Sequence, residues 1–347
     1  MSKKGGLLGV VLLSVSVFFI VQNTLGAGEP TFHLALPFGL NEKAFYVPPD
    51  NPMTQEKIEL GRVLFFDKRL SKDNTISCST CHIPSLGFTD GQPVSTGIRR
   101  LQGGRSAPTA INRAFSKVQF WDGRAATLEA QSVGPFASPV EHGFVDYSEM
   151  LAKMNKIEGY KTEFKKVFGT EITLEGVGKA IASFQRTIVS GNSPFDRFEV
   201  GKDEKAISEP AKRGLALFRG KARCAICHSG FNFTDESFHN LGVGWDGATV
   251  DVGRYAITNN TKDIGAFKTP TLREIANTAP YMHDGRLATL EEVVDYYNKG
   301  GVKNPFLDPA IAPLNLNGQE KQDLVAFLET LNGEGWQQIR RPESFPE

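Results

Sequence analysis

Two five-residue stretches, CSTCH at 78–82 and CAICH at 224–228, contain all four cysteines of this 347-residue chain. Four cysteines can close two disulfides in an oxidising compartment. A Cys-x-x-Cys pair can also be half a zinc site or a thioredoxin-like redox pair. None of these readings accounts for a histidine directly after the second cysteine, twice. Cys-x-x-Cys-His is the attachment signal of c-type haem. The cysteines bond covalently to the macrocycle, and the histidine ligates iron from the proximal side. Cys78, Cys81 and His82 are therefore expected to hold one haem, and Cys224, Cys227 and His228 a second.

The N-terminus points to export. Lys3 and Lys4 precede the apolar run LLGVVLLSVSVFFIV, with small residues following near Ala27. Residues 1–28 read as a signal peptide or an N-terminal membrane anchor, with a buried core helix as the alternative. The compartment expected is the periplasm or another extracytoplasmic space. Lys+Arg and Asp+Glu cancel at 39 each, so no net charge steers the chain towards nucleic acid.

The two motifs sit in a long internal repeat. GRVLFF (61–66) precedes the first and GLALFR (214–219) the second, and each is followed by FTD. Further on, APTAINRAF…FWDGRAATLEA (107–130) matches TPTLREIAN…MHDGRLATLEE (269–292). Pro108 to Pro270 and Asp122 to Asp284 are the same distance apart, the mark of a duplicated module. Apolar residues at three-and-four spacing predict helices in TQEKIELGRVLFFD, TLEGVGKAIASFQRTIV, EPAKRGLALFRG, TLEEVVDYYNKG and NGQEKQDLVAFLETLN. Thr or Asn opens several of them, as N-caps do. No alternating run argues for a sheet. The expected fold is all-α, with two tandem cytochrome c-like haem domains at 45–200 and 205–345. They join through the turn-rich stretch 190–210.

Function is expected where the copies diverge. The overlay sets Trp121 against His283, Gln131 against Val293, Pro135 against Tyr297 and Glu141 against Lys303. A haem that only carries electrons has a sixth ligand, whereas one that binds a small molecule keeps that position open. Tyr297 offers an oxygen to iron and Pro135 offers nothing, so one closed and one open haem are expected.

These motifs, together with GPFASPVEHG, CAICHSGF and APYMHDGRLATLEEVVDYYNKGG, resemble the bacterial diheme cytochrome c peroxidase family, and within it the MauG branch. The similarity covers nearly everything after residue 50. It implies that His82 and His228 are proximal ligands and that Trp121 passes electrons between the haems. Gln131 and Glu141 fall on distal-pocket residues, and Tyr297 on the axial ligand of the second haem. Tyr296 and Met282 are the rivals of Tyr297. Ile98 stands where ordinary family peroxidases carry a loop histidine that must swing away, so the first haem is expected to be open without activation. His142 follows Glu141 where methionine is usual, and it reads as a pocket or surface histidine, with closure of the first iron as the alternative. The family's calcium site maps to Ser106, Thr278 and Pro280, with Ser106 in place of the usual asparagine. His33 and His239 are read as structural or surface residues.

The resemblance implies hydrogen peroxide as substrate, with Glu141 as general acid–base and Gln131 as hydrogen-bond donor. The partner is either a small redox protein (a cytochrome c or cupredoxin) or a protein whose side chain is oxidised. A non-catalytic diheme electron carrier is the alternative from another class. A homodimer is left open.

Overall fold

The computed structural model describes residues 31–247 and 250–347. The expected export segment at 1–28 lies outside the described residues. Among those residues, no helix is long and apolar enough to cross a membrane.

The chain is mostly helix and loop. Its main helices are α1 (Gln55–Phe66), α2 (Cys78–Cys81), α3 (Leu128–Val133), α4 (Tyr147–Met154), α5 (Glu158–Phe168), α6 (Leu174–Arg186), α7 (Pro194–Glu199), α8 (Glu209–Arg219), α9 (Tyr255–Thr258), α10 (Leu290–Lys299) and α11 (Gly318–Glu329). All five helices predicted from periodicity are present as α1, α6, α8, α10 and α11. The hydroxyls of Thr54, Thr173 and Thr289 and the Asn317 carbonyl oxygen cap α1, α6, α10 and α11, each accepting from a backbone N–H in the first turn. The strand content among described residues is one antiparallel pair, Phe238–His239 (β1) against Phe267–Lys268 (β2).

Two helix pairs organise two apolar cores. In the first, α1 crosses α6 with Gly61 at the contact, where a Cβ would lie 1.9 Å from the Ala180 carbonyl oxygen. Phe65 and Phe184 then meet at 5.2 Å between ring centroids. In the second, α8 crosses α11 with Gly214 at the contact, and a Cβ there would lie 1.9 Å from the Asp323 carbonyl oxygen. Phe218 and Phe327 meet at 5.0 Å. Only a residue without a side chain allows backbones this close.

The stretch 190–210 is more structured than its composition suggests. Ser193 caps α7, Phe195 enters the second core, and buried Asp196 pairs with buried Arg273 at 2.8 Å. The chain end also departs from the linear division into halves. Trp336 and Phe345 pack on the first core, and Arg69 Nη2 donates to the Pro346 carbonyl at 2.8 Å. The last residues thus strap the first half from outside.

Candidate haem clefts and their shared wall

Each Cys-x-x-Cys-His motif forms one tight turn, with the histidine amide donating to the first cysteine's carbonyl. The distance is 2.9 Å for both His82 to Cys78 and His228 to Cys224. His82 Nδ1 lies 3.0 Å from the Phe88 carbonyl oxygen, and His228 Nδ1 lies 3.0 Å from that of Phe233. Phe88 and Phe233 both adopt left-handed backbone, φ 57° and 51°, a strained setting for aromatic residues. The carbonyl contact fixes each imidazole with Nδ1 as donor and leaves Nε2 as acceptor. Burial also pushes both imidazoles below their ordinary pKa, which keeps them neutral and able to ligate.

All four thiols are unpaired. Burial pushes Cys78, Cys81 and Cys224 up to about 12, away from thiolate chemistry. Cys227, Asp235 and His239 alone bring three ligand-type atoms together among the described residues. A zinc reading therefore accounts for one motif and leaves its twin unexplained. Two large clefts account for both. One is lined by Cys78, Cys81 and His82, and the other by Cys224, Cys227 and His228. Mostly apolar walls, a neutral imidazole and two adjacent thiols fit a c-type haem in each.

The first cleft gathers Gln131, Pro135, Glu141, His142 and Trp121. Gln131 comes from α3, and Pro135 from the 3₁₀ turn Gly134–Ala137 that ends it. Proline cannot continue a helix, so the chain leaves the helical path here. In the matching segment α10 runs on to Lys299 and keeps Tyr297 on a regular turn. Glu141 and His142 follow in a loop closed by Gly143 N donating to the Ser138 carbonyl at 2.9 Å. Burial raises the Glu141 pKa above its usual 4.5, opposed by the Arg124 charge and the Ser138 hydroxyl.

Ile98 does not line this cleft. It is 2 % exposed, and its side chain fills the space a Cβ on Gly143 would need. His142 is 3 % exposed, its Nδ1 lies 2.7 Å from the Leu70 carbonyl oxygen, and its ring meets Phe136 edge-on at 4.7 Å. It is thus a tightly held cleft residue.

The second cleft contains both Tyr297 and Met282. Burial raises the Tyr297 pKa. Tyr296 is turned away, and its hydroxyl donates to the Leu241 carbonyl at 2.9 Å. His239, read as a structural or surface residue, is clamped between Asp308 at 2.6 Å and Asp235 at 2.9 Å beside this cleft.

The clefts share a wall that includes Trp121, Ser106, Arg113 and Lys268. Trp121 Nε1 donates to the Ser106 carbonyl at 2.9 Å, and Lys268 N donates to the Trp121 carbonyl at 2.8 Å. The tryptophan is therefore held from both halves of the chain. Arg105 adds a second crosslink, reaching Asp122 at 2.6 Å and Asp251 at 2.6 Å. The Ser106 hydroxyl has only a long 3.5 Å contact to Gln92 O. Among the described residues, no N–H is donated to the carbonyls of Thr278 or Pro280. Ser106, Thr278 and Pro280 all line the second cleft.

Sequence reasoning missed Gln185, Arg105, Arg113 and Lys268. Gln185 acts from α6, whereas Arg105, Arg113 and Lys268 lie within or directly before the repeated segments at 107–130 and 269–292. The signal present was a charged or amide residue within an otherwise apolar or buried stretch.

Comparison with known proteins gives a consistent result. A family model described as di-haem cytochrome c peroxidase matches residues 55–205. The methylamine utilization protein MauG of Methylorubrum extorquens is 46% identical over 289 residues, 83% of this chain and 81% of its own. The cytochrome c551 peroxidase of Nitrosomonas europaea is 36% identical, covering 96% of this chain and 93% of its own. A crystal structure of a MauG-like protein associated with microbial copper homeostasis superposes with a TM-score of 0.77 at 35% identity. It covers 89% of this chain and 95% of that one. With two haem c clefts and relatives of this extent, the chain belongs to the di-haem cytochrome c peroxidase and MauG family of oxidoreductases.

Proposed function

We propose that the cleft of His82 reacts with hydrogen peroxide and that the cleft of His228 stores and passes electrons. Cys78, Cys81 and His82 would hold one haem c, and Cys224, Cys227, His228 and Tyr297 would hold the other. Bound iron supplies the redox change that cleaves the peroxide bond. The observation that carries this reading is the contrast between the clefts. Gln131, Pro135 and Glu141 converge on the first, whereas Val293 and Tyr297 stand at the matching places of the second.

The roles follow from chemistry. Glu141 takes a proton from peroxide and returns it to the departing oxygen, a step favoured by a carboxyl held above its ordinary pKa. Gln131 donates a hydrogen bond to the substrate through its amide nitrogen. Pro135 supplies no donor atom, so substrate meets no protein ligand there. Trp121, on the shared wall, relays electrons between the clefts. Ser106, Thr278 and Pro280 hold a calcium ion at that wall. The matching helix pairs, their contact glycines and the paired Phe88 and Phe233 turns support an origin by duplication into two haem domains. Reducing equivalents come from a cytochrome c or cupredoxin in an extracytoplasmic compartment.

A second reading, oxidation of a protein side chain, is favoured by Tyr297. An anionic oxygen ligand stabilises oxidised iron and so suits stored oxidising equivalents. A pure electron carrier needs a sixth ligand in the first cleft, and His142 Nε2 is the donor available for it. The test has two parts. Mass spectrometry of the denatured protein is expected to show two haem additions. Stopped-flow mixing of the fully ferric protein with peroxide is expected to give reaction without prior reduction. One haem addition overturns the cofactor assignment, and reaction only after one-electron reduction overturns the open first cleft. Turnover with a reduced small cytochrome then separates peroxide reduction from side-chain oxidation.

A further inference from the structure

We propose that Arg113 and Lys268 form one anion-binding wall that receives propionate carboxylates from both clefts, so that a single charge pair sets both reduction potentials. The proposal rests on the reading that each cleft holds haem c.

The wall carries more buried positive charge than the protein balances. Arg113 is 9% exposed, yet its partners are neutral oxygens: Nε donates to Gln119 Oε1 at 3.0 Å and Nη2 to the Val118 carbonyl at 3.3 Å. Its Nη1 has no partner among the described residues. Lys268 is 4% exposed, and its Nζ reaches Glu236 Oε1 at 3.3 Å and the Thr269 carbonyl at 3.1 Å. Among the described residues, Glu236 is the one carboxylate in direct contact with either cation, through Lys268. It also accepts from Ser116 Oγ and from Lys117 N, each at 3.1 Å. Of the other acids near the wall, Asp122 and Asp251 are taken by Arg105, and Asp235, whose charge also acts on Lys268, lies 2.9 Å from His239 Nε2.

Two buried cations therefore have one carboxylate in direct contact, Glu236 on Lys268. A buried charge without compensation costs several kcal/mol. The shortage shows in Lys268, whose pKa is pushed down to about 8 by burial and then by Arg113. Both residues line both clefts, and the Lys268 amide holds the Trp121 carbonyl at 2.8 Å. The propionates that each haem brings are the anions of matching charge, and arginine in particular matches a carboxylate in two-point geometry. A fixed cation beside each carboxylate favours the added electron at the adjacent iron.

The test is spectroelectrochemical titration of the holoprotein. Arg113→Gln and Lys268→Gln are each expected to shift the ferric–ferrous equilibrium of both irons about tenfold towards ferric, about 59 mV for one electron. Glu236→Gln removes negative charge from the same wall and is expected to shift both irons the other way. Resonance Raman propionate bending modes of both haems are expected to move in Arg113→Gln. Shifts confined to one iron, no shift, or unmoved propionate modes overturn the proposal. If the cation variants fail to retain haem, the sign of the Glu236→Gln shift decides. A wild-type protein without haem overturns the underlying cofactor reading instead.

Discussion

Gln185 Nε2 donates a hydrogen bond of 3.2 Å to Gln131 Oε1 and another of 3.1 Å to Ser132 Oγ. The contact uses the acceptor end of the Gln131 amide and leaves its NH₂ group free to donate into the cleft. Gln185 sits on α6, the helix whose crossing with α1 builds the first core. A core helix thus aims a cleft residue.

Losing that contact is expected to slow the reaction with peroxide without abolishing it. A hydrogen bond of this kind is worth about 1 kcal/mol, or roughly fivefold in rate. Gln185→Leu is expected to show that loss in the second-order rate constant, and Gln131→Leu at least as much. An additional full loss in the double variant would show that Gln185 does not act through Gln131.

Glu141→Gln keeps the shape of the side chain and removes its basicity. The rate of reaction with peroxide is expected to fall about 10²- to 10⁴-fold, the usual worth of acid–base catalysis. Because burial raises the Glu141 pKa, the carboxylate is depleted as pH falls towards a value above 4.5. The wild-type rate constant is therefore expected to rise with pH through that value, and the variant's to be flat. A pH–rate profile unchanged by the substitution would remove Glu141 from the proton path.

Tyr297→Phe deletes the donor oxygen facing the second cleft. The absorption and magnetic spectra of the second haem are expected to change, while the first haem keeps its own. Tyr296→Phe is expected to leave both spectra intact, because that hydroxyl is held by Leu241. Sensitivity to Met282→Leu with indifference to Tyr297→Phe would make Met282 the ligand.

His142 predicts a pH dependence of stability. Burial lowers its pKa from 6.5 to about 4, so the unfolded chain binds the proton first. Its contribution is complete above about pH 6.5, declines as pH falls, and levels off near pH 4. From this one group the span is up to about 3 kcal/mol. His142→Gln, which retains a donor for Leu70, is expected to flatten melting temperature between those limits. Equal pH slopes in the two proteins would place the effect elsewhere. An unchanged ferric spin state in the variant would also show that His142 is not an iron ligand.

What the sequence determined by itself is local or register-bound. Five helices were legible because apolar spacing and a capping residue, Thr or Asn in four of them and Ser208 in α8, lie close together in sequence, and helix formation depends on such neighbours. The haem motifs were legible because their atoms sit on one turn. Gln131, Pro135 and Tyr297 were placed by counting along a repeat whose offset stays constant. Short or charge-rich helices such as α4, α5 and α7 were not legible: α4 and α7 have local caps in Asp146 and Ser193 but are too short to show a periodic apolar face, and α7 is fixed from afar by the Asp196–Arg273 pair.

Tertiary structure decided which chemistry faces which cleft. Tyr296 and Tyr297 are adjacent in sequence, yet successive residues point about 100° apart on a helix of 3.6 residues per turn. Packing of α10 turns one hydroxyl to the Leu241 carbonyl and the other to the cleft. His142 needed the Leu70 carbonyl, and Gln131 needed Gln185 from α6. Arg113 and Lys268 stand far apart in the chain and meet only where the two halves close on Trp121. Burial, hydrogen-bond partners and charge balance are properties of such meetings, so no contiguous stretch of sequence can state them.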